Sequence, residues 1–457
     1  MTMPHPGARL LFLLAMLSSE SLMAGVAAEE ARRLDGPELT PLGAERAGNP
    51  EGTIPAWDGG IREPPPGYEP GRQHTDPFAD DLPVLTITAE NMDAHAARLS
   101  EGQKALLRAY PGSWRMNVYP TRRSAAYPQW VYQAVKRNAT AAEVLTAGKG
   151  GVVNASVSSP FPIPGSGLEA VWNHNLRWRG IRVRRSFGQA AVTRKGRYTV
   201  TISLQDLAFP YAMPPDAPIR RKFPNLLLAI KGKFIQPGLI AGEGALVLDP
   251  IDRTRDTRKS WTYDPNTRRI LRVPNMAYGH PALNAEGLRT VDDFDMYSGS
   301  PDRFDWKLQG KRELYIPYNA YRLHREGLAY GDIIKTHHIN PELARYELHR
   351  VWVVEGTLKP GARHVYGRRT FYLDEDSWQI AVTDTYDKQG ALWRAAEAHA
   401  LNYYQVPVHW STLEVYYDLE QQRYLVSGID NRRNPYRFTE QADPREFSPN
   451  ALNYYIR

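Results

Sequence analysis

The chain has 457 residues, with 57 lysines and arginines against 50 aspartates and glutamates, a formal net charge of +7 and no cysteine. The lack of cysteine excludes disulfides and thiolate metal sites, and it predicts that the protein is not a lipoprotein. Basic residues are interleaved with acidic ones, as in RTRDTRKS (253–260), so we expect no nucleic-acid partner and only peripheral contact with anionic membrane surfaces.

The first residues predict export. Arg9 precedes an apolar run over residues 10–17, and small residues follow up to Ala27 and Ala28. This order is typical of a cleaved signal peptide. The run is shorter than the ~20 residues of a membrane-spanning helix. We therefore predict a signal peptide over residues 1–28, no transmembrane helix and a periplasmic location.

Residues 29–82 are rich in proline, glycine and charge, as in GTIPAWDGG (52–60) and REPPPGYEPG (62–71). Such a composition is typical of an extended segment. The segment also contains Trp57 and Tyr68, and disordered tails usually lack aromatic residues. We therefore predict an extended arm that packs on the body of the protein.

Residues 83–150 carry helix signals. Ser100 and Gln103 have the spacing of a capping box ahead of an apolar run, and an apolar repeat before them has helical spacing. Thr140 and Glu143 repeat the capping spacing. We predict a segment of about three short helices.

Beyond about Val171 the apolar residues recur with a period of two, the pattern of strands with one buried and one exposed face. KSWTYD and RRILRV flank residues 264–267, whose types favour a tight turn, and they predict a hairpin. Between residues 350 and 401, four such runs separated by short polar turns predict an antiparallel meander. LEVYYDL and RYLVSGI (413–429) extend it.

The sequence does not alternate strands with long helices, so parallel-sheet and dinucleotide-binding folds are disfavoured. We predict a mainly β protein with a few helices (α+β), built on a large antiparallel, incompletely closed β-barrel covered by helices. The predicted division is a signal peptide (1–28), an arm (29–82), a helical segment (83–150) and the barrel (151–457).

The sequence carries no catalytic or cofactor motif. Ser166 lies in PGSGLE, which lacks the spacing of a nucleophile elbow, and neither a Walker phosphate loop nor GxGxxG occurs. An acidic stretch over residues 292–305 departs from EF-hand spacing, so we interpret its aspartates as helix caps and turn residues. Without HExxH, we interpret five histidines as ordinary hydrogen-bonding residues: His324, His337, His338, His349 and His364. We therefore predict no catalytic residue, no cofactor and no metal.

Aromatic residues are abundant, with 26 tyrosines and 11 tryptophans. Their broad apolar area and polar edge suit a sheet core and also a pocket for an amphipathic ligand. We take eight of them as candidate cavity residues: Trp172, Trp178, Trp261, Tyr263, Trp306, Tyr315, Trp352 and Trp378.

Five segments of the sequence together indicate a family resemblance. They are LTPLGAERAGNPEGTIPAWDGG from Leu39, VYPTRRSAAYP from Val118, FPIPGSGLEAVWNHNLRWRG from Phe161, RELYIPYNAYRL from Arg312 and YELHRVWVVEGTLKPGARHVYGRRTFYLDEDSW from Tyr346. They resemble the bacterial family called domain of unknown function 1329, over nearly the whole mature chain. The resemblance implies an exported protein grouped with outer-membrane lipoprotein-sorting proteins of the LolA/LolB type. That fold is an unclosed antiparallel barrel with helices over its mouth, and it holds acyl chains inside.

The resemblance also implies partners. The family often accompanies transporters of the resistance-nodulation-division (RND) superfamily and an outer-membrane protein, as in a route for hydrophobic molecules across the envelope. No catalytic motif is attached to the family, so the resemblance assigns no functional residue.

Three functions follow as hypotheses. The first is a periplasmic carrier for a lipid, a lipoprotein acyl chain or another hydrophobic molecule. The second is an envelope hydrolase that uses aspartate, glutamate or histidine from residues 292–364, and it requires two such groups to converge in the main cavity. The third is a scaffold of an envelope complex that binds no ligand.

Overall fold

The computed structural model describes residues 23–145, 151–273 and 278–456. Most of the predicted signal peptide, residues 1–22, therefore lies outside the described residues. Within the described part of the chain, no helix has both the length and the apolar character that crossing a membrane requires.

Strands dominate the described residues. In chain order they are β1 (Met23–Ala24), β2 (Leu85–Ile87), β3 (Met116–Val118), β4 (Glu143–Val144), β5 (Val152–Val153), β6 (Arg182–Val192), β7 (Thr201–Ala208), β8 (Leu226–Gln236), β9 (Gly244–Pro250), β10 (Lys259–Asp264), β11 (Arg269–Val273), β12 (Phe304–Pro317), β13 (Tyr346–Leu358), β14 (Arg368–Asp374), β15 (Ile380–Tyr386), β16 (Leu392–Tyr403), β17 (Val408–Asp418), β18 (Arg423–Ile429) and β19 (Arg437–Thr439). Strands β1, β4 and β5 form a small sheet, and the other sixteen form one large sheet.

The large sheet is open. Its strands follow the order β11-β10-β9-β8-β7-β6-β18-β17-β16-β15-β14-β13-β3-β2, while β12 also pairs with β13 and β19 with β6. Neighbours are antiparallel except for β3 and β13, which are parallel. The predicted mainly β class and incomplete closure are confirmed, and the single parallel pairing makes the sheet mixed.

The predicted hairpin and meander are present. β10 pairs with β11 around the turn that joins Asp264 to Arg269, and β13 to β18 pair consecutively. The predicted exposed face is absent from β15, where every residue is buried. The alternation fails there because both faces of these strands are covered.

The helices cover the sheet from two sides. They are α1 (Ala28–Ala31), α2 (Glu101–Ala109), α3 (Gln129–Ala141), α4 (Gly167–Leu176), α5 (Pro218–Lys222), α6 (Tyr321–His324), α7 (Tyr330–Ile333) and α8 (Pro449–Ile456). α3 and α4 pack with Phe371, Ile380 and Trp410 in the largest hydrophobic cluster. α2, α6 and α7 pack with Leu348 and Val415 in a second cluster. The central strands therefore lie between two helical layers.

Helix α2 begins as predicted. The Ser100 Oγ accepts from the Gln103 N–H, and the Gln103 Oε1 accepts from the Ser100 N–H, each at 3.1 Å. The predicted start at Thr140 and Glu143 is wrong, because Thr140 lies in the last turn of α3 and Glu143 begins β4. The position of α3 depends on the packing of its buried side, and the spacing of capping residues does not predict that packing.

Segments from different predicted domains share these layers. β2 and β3, from residues 83–150, extend the large sheet. In the arm, Trp57 packs into the largest cluster and Ile54 into the second. The division at residues 82 and 150 remains a prediction.

Replacing Ser100 by alanine removes the cap of α2 and a hydrogen bond to the buried Asp384 Oδ1 (3.0 Å). We expect the free energy of unfolding to fall by about 1–2 kcal/mol, measured by urea denaturation. Thr140→Ala, at an exposed position in the last turn of α3, is the control and should stay within about 0.5 kcal/mol of the native protein. Equal losses in both variants would contradict the capping role.

Glu397 of β16 is a buried titrating group. It accepts hydrogen bonds from Gln103 Nε2 (3.1 Å) and Tyr346 Oη (2.9 Å). Burial raises its pKa to about 7 because desolvation penalises the charged form. Between the unfolded pKa of about 4.3 and this value, the native state holds a proton that the unfolded state has released. The contribution of Glu397 to stability therefore falls as pH rises through this window.

We expect Glu397→Gln to remove this decline, because glutamine keeps a hydrogen-bonding side chain and does not titrate. Between pH 5 and pH 8 the variant should gain on the order of 1–3 kcal/mol relative to the native protein, measured by urea denaturation at each pH. Glu420→Gln, in the exposed turn between β17 and β18, is the control and should follow the native profile. A Glu397→Gln profile parallel to the native one would show that this carboxyl does not set the slope.

Candidate functional site

A cavity of about 460 Å³ lies on one face of the large sheet. Strands β6 to β10, β17 and β18 form its floor. Residues 278–303, which we call the covering segment, contribute the rest of the lining together with Tyr436, through Ala282, Leu283, Arg289, Val291 and Phe294. Its apolar lining includes Phe187, Ile230, Phe234, Val247, Val291 and Phe294.

Strand register explains why there is room. Arg185 of β6 lies opposite Gln205 of β7, which lies opposite Gly232 of β8. The row continues through Ala245 of β9 to Thr262 of β10. Because the middle of this row carries a glycine and an alanine, the sheet leaves space between its floor and the covering segment.

Asp295 fixes the covering segment to the body. Its buried carboxylate accepts hydrogen bonds from Arg177 and Arg179 (2.6 Å each) and from the indole of Trp410 (2.8 Å). Burial alone would raise the pKa of Asp295, but the two guanidiniums hold it well below its usual range. Asp295 therefore remains charged and joins the covering segment to β17 and to the chain after α4.

Asp292 and Asp293 form a second anchor. Arg369 of β14 and His364 approach the Oδ2 atom of Asp292 to 3.0 and 3.2 Å. Asp293 closes a capping box with Thr290, as the interpretation of the acidic stretch predicts. Burial opposes ionisation of Asp292, yet Arg369 and His364 keep its pKa well below the usual range.

The anchors position the apolar cover. Val291 and Phe294 flank Asp292 and Asp293 in the sequence, and both line the cavity. The acidic stretch thus places carboxylates against buried cations and apolar side chains against the cavity. The buried ion pairs of Asp292 and Asp295 therefore fix the position of Val291 and Phe294.

The eight predicted aromatic residues are spread over three hydrophobic clusters. The largest cluster contains or contacts Trp172, Trp178, Trp306, Trp352 and Trp378, the cluster beside α8 contains or contacts Trp261 and Tyr263, and the second cluster contains Tyr315. Trp352 and Trp378 stack with ring centroids 6.1 Å apart. Of the eight, Tyr263 alone lines the cavity. A ligand-binding role for the set remains a prediction.

The polar residues of the cavity escaped sequence reasoning. Arg185, Gln205 and Arg289 all line it. In RVRRSFGQ (182–189), Arg185 and Phe187 are two residues apart and therefore share one face of the strand. This shared face is the sequence signal that could have indicated a mixed polar and aromatic lining. Alternation does not tell which side of a strand faces a cavity.

A buried group away from the cavity also has chemical character. His349, Asp374 and Asp376 place ligand-type atoms within 4.8 Å of one another. These are residue types that bind divalent metals, but Arg123 donates to both oxygens of Asp376 (2.8 and 2.7 Å). Burial, with repulsion from Asp376, raises the pKa of Asp374 to about 7. Four of the five histidines noted above hydrogen-bond within the protein: His324, His338, His349 and His364.

A larger open groove of about 970 Å³ lies between residues 434–438 and α8. Arg184, Lys231 and Glu446 line it and pair with one another or with Asp206. These three charged side chains are thereby satisfied, while Arg185 and Tyr436 line both the groove and the cavity. The cavity is the stronger candidate site because the covering segment also contributes to its lining.

Fold and cavity together define an open-sheet protein with a largely apolar cavity on one face of its sheet. A family model described as "Protein of unknown function (DUF1329)" matches residues 86–453, and the chain belongs to this family. An uncharacterized protein from Pseudomonas aeruginosa is 44% identical over 449 residues, covering 98% of this chain and 97% of that protein. The resemblance to domain of unknown function 1329 is thereby confirmed.

Solved structures resemble the chain more distantly. A domain from Vibrio parahaemolyticus, named as a candidate outer-membrane lipoprotein-sorting protein, has a TM-score of 0.43 and 13% identity, covering 63% of this chain and 98% of that one. A DUF1329 family protein from Desulfovibrio piger has a TM-score of 0.40 and 13% identity, with 60% and 92% coverage. A LolA superfamily protein from Nitrosomonas europaea has a TM-score of 0.37 and 9% identity, with 62% and 98% coverage.

Replacing Asp295 by asparagine leaves Arg177 and Arg179 buried without their counter-ion. We expect a loss of about 3–5 kcal/mol in the free energy of unfolding, measured by urea denaturation. Asp305→Asn is the matched control, because the Asp305 side chain is 70% exposed and lies 3.7 Å from Lys359. That variant should change stability by less than about 1 kcal/mol. Similar small losses in both variants would argue against Asp295 as an anchor.

Proposed function

We propose that this protein is a periplasmic carrier for a lipid, a lipoprotein acyl chain or another hydrophobic molecule, and that it performs no bond chemistry. The apolar cavity under the covering segment is the observation that carries the proposal. Its volume lies within the range of small-molecule sites, which combine apolar walls with a few polar groups.

The affinity for such a ligand would come from burial. Each methylene group removed from water contributes ~0.8 kcal/mol. A long chain lying along Ile230, Val247 and Phe294 would gain most of its binding free energy this way. Release to a partner then requires a competing apolar site, since no covalent bond has to be broken.

The hydrolase alternative relies on residues 292–364. Asp292 and Asp295 are committed to arginine pairs, and His364 lies against Asp292. Among the described residues of that range, Phe294 is the one that lines the cavity. This arrangement favours an anchoring role for the acidic groups over a catalytic one.

Location and partners belong to the same proposal. The order of residues in the range 1–28 supports export through a signal peptide. An RND-type transporter and an outer-membrane protein would exchange the hydrophobic molecule with the cavity, and the net charge of +7 would favour peripheral contact with anionic membranes. A scaffold without a ligand would leave the cavity empty in every condition.

A cavity-filling variant tests the proposal. Ala245 lines the cavity in the middle of the small-residue row, so Ala245→Phe places a ring in the space that a ligand would occupy. We expect the native protein to enhance the fluorescence of the neutral hydrophobic dye N-phenyl-1-naphthylamine with one saturable site. Ala245→Phe should weaken dye binding by roughly tenfold or more.

Leu271→Phe is the matched control, because Leu271 of β11 is 56% exposed and lies outside the cavity lining. It should bind the dye as the native protein does. Equal dye binding by the native protein and Ala245→Phe would place the hydrophobic site elsewhere, and a native protein that binds no hydrophobic dye would overturn the carrier proposal.

A further inference from the structure

Most buried arginines of this protein are paired with carboxylates. The pairs include Arg123 with Asp376, Arg177 and Arg179 with Asp295, Arg345 with Glu347 and Arg369 with Asp292. Two arginines that line the cavity, Arg185 and Arg289, form no ion pair with any carboxylate of the described chain. Both guanidiniums therefore lack a directly bonded counter-ion, and Glu414 of the same lining interacts with Arg289 only through space.

Arg185 is held by aromatic rings. Its Nε donates to the Gln205 Oε1 across the β6–β7 pair (3.0 Å), and this is the hydrogen bond that its guanidinium makes within the described residues. Four rings surround the guanidinium carbon: Phe187 at 4.9 Å, Trp410 at 5.0 Å, and Phe294 and Tyr436 at 5.7 Å. Aromatic faces attract a cation but offer it no hydrogen-bond acceptor in the ring plane. The other N–H donors of Arg185 therefore remain available to a ligand.

Further donors of the cavity lack acceptors. Tyr436 is 4% exposed, and its hydroxyl is buried without a hydrogen-bond partner among the described residues. The Nε of Arg289 is in the same state. Buried polar groups nearly always have partners in a folded protein. Since both residues line the cavity, a ligand acceptor would satisfy them.

The other charged lining groups are engaged within the protein, except for the exposed Glu243. Arg258 pairs with Asp249 (3.0 Å), and Lys233 donates to the Ile456 carbonyl (3.2 Å). Glu414 accepts from Ser411 (2.9 Å) and Tyr416 (2.7 Å) and forms no ion pair with described residues. Among the described lining residues, the buried polar atoms without partners are the Nε of Arg258, the Nε of Arg289 and the hydroxyl of Tyr436, so the site offers donors to a ligand with acceptor oxygens.

We propose that the molecule bound in this cavity is an amphiphile with one anionic oxygen group, held by Arg185, Tyr436 and Arg289. The proposal rests on the proposed function and names the ligand class of the same site. The anionic oxygens accept from the guanidiniums and the hydroxyl, and the apolar part lies along the aliphatic lining of β8 and β9. Because Arg289 belongs to the covering segment and Arg185 to β6, one bound anion would also join the cover to the floor.

Competition among three twelve-carbon compounds tests this class. Dodecanoate, dodecyl phosphate and the neutral dodecanol displace N-phenyl-1-naphthylamine from the native protein at one pH and ionic strength. We expect at least one anion to bind roughly tenfold or more tightly than dodecanol, because charge-assisted hydrogen bonds form in a partly dry site. The better of the two anions identifies a carboxylate or a phosphate group.

Arg185→Met should reduce the ratio of anion to alcohol affinity to near one while dodecanol still binds, and Arg185→Lys should retain part of the preference. Arg184→Met is the matched control. Arg184 directly precedes Arg185 in β6, is exposed and pairs with Asp206 in the larger open groove. It should keep the native ratio.

Tyr436→Phe keeps the ring and removes the hydroxyl, so it should lower the ratio by a smaller factor. This variant tests the site if Arg185→Met does not fold.

Equal affinities for the anions and dodecanol in the native protein would overturn the anionic ligand class and leave the carrier proposal standing. Failure of all three compounds to displace the dye, or of the dye to bind, would overturn both. A native preference that survives in Arg185→Met and Tyr436→Phe would remove these residues from the site.

Discussion

Two aspartates of the covering segment, Asp292 and Asp295, enter the protein interior and remain charged there because buried guanidiniums hold their pKa values below the usual range. Asp295 lies between Arg177 and Arg179, and Asp292 lies against Arg369. The position of the apolar cover depends on these pairs. Trp410 connects them to the cavity, since its indole donates to Asp295 while its ring lies 5.0 Å from the Arg185 guanidinium carbon.

Similar pairs join the arm to the sheet. Arg123 donates to Asp376 and also to the Glu45 carbonyl of the arm (2.8 Å), while Arg350 pairs with Glu45 of the arm (3.5 Å) and with Glu375 (2.9 Å). A chain without cysteine has no covalent cross-link for this purpose. Buried ion pairs add little net stability, because desolvation offsets attraction, but removing one partner is costly. Such pairs therefore specify where segments lie more than they stabilise the fold.

The parts of the fold that follow local rules could be predicted from sequence. Period-two runs and polar turns located β13 to β18, and capping chemistry located the start of α2 at Ser100. The prediction at Thr140 failed because packing, and not capping, fixes α3. Complete burial of β15 could not be foreseen, since it depends on helices that come from distant parts of the chain.

The site was less predictable than the fold. An aromatic residue is favoured in a core and in a pocket alike, and the eight chosen residues contained one that lines the cavity, Tyr263. Arg185 lies in a run with two other arginines, and the sequence alone does not distinguish it from them. Its role depends on strand register and on a covering segment about a hundred residues later, which no local pattern encodes.

The central claim is that the space between the sheet and the covering segment holds a hydrophobic molecule. Native mass spectrometry of the protein, purified without detergent from the cells that make it, tests this most directly. We predict a one-to-one complex whose added mass disappears after organic extraction and is absent from Ala245→Phe. A native protein that carries only its own polypeptide mass, even after incubation with membrane lipid extract, would contradict the claim.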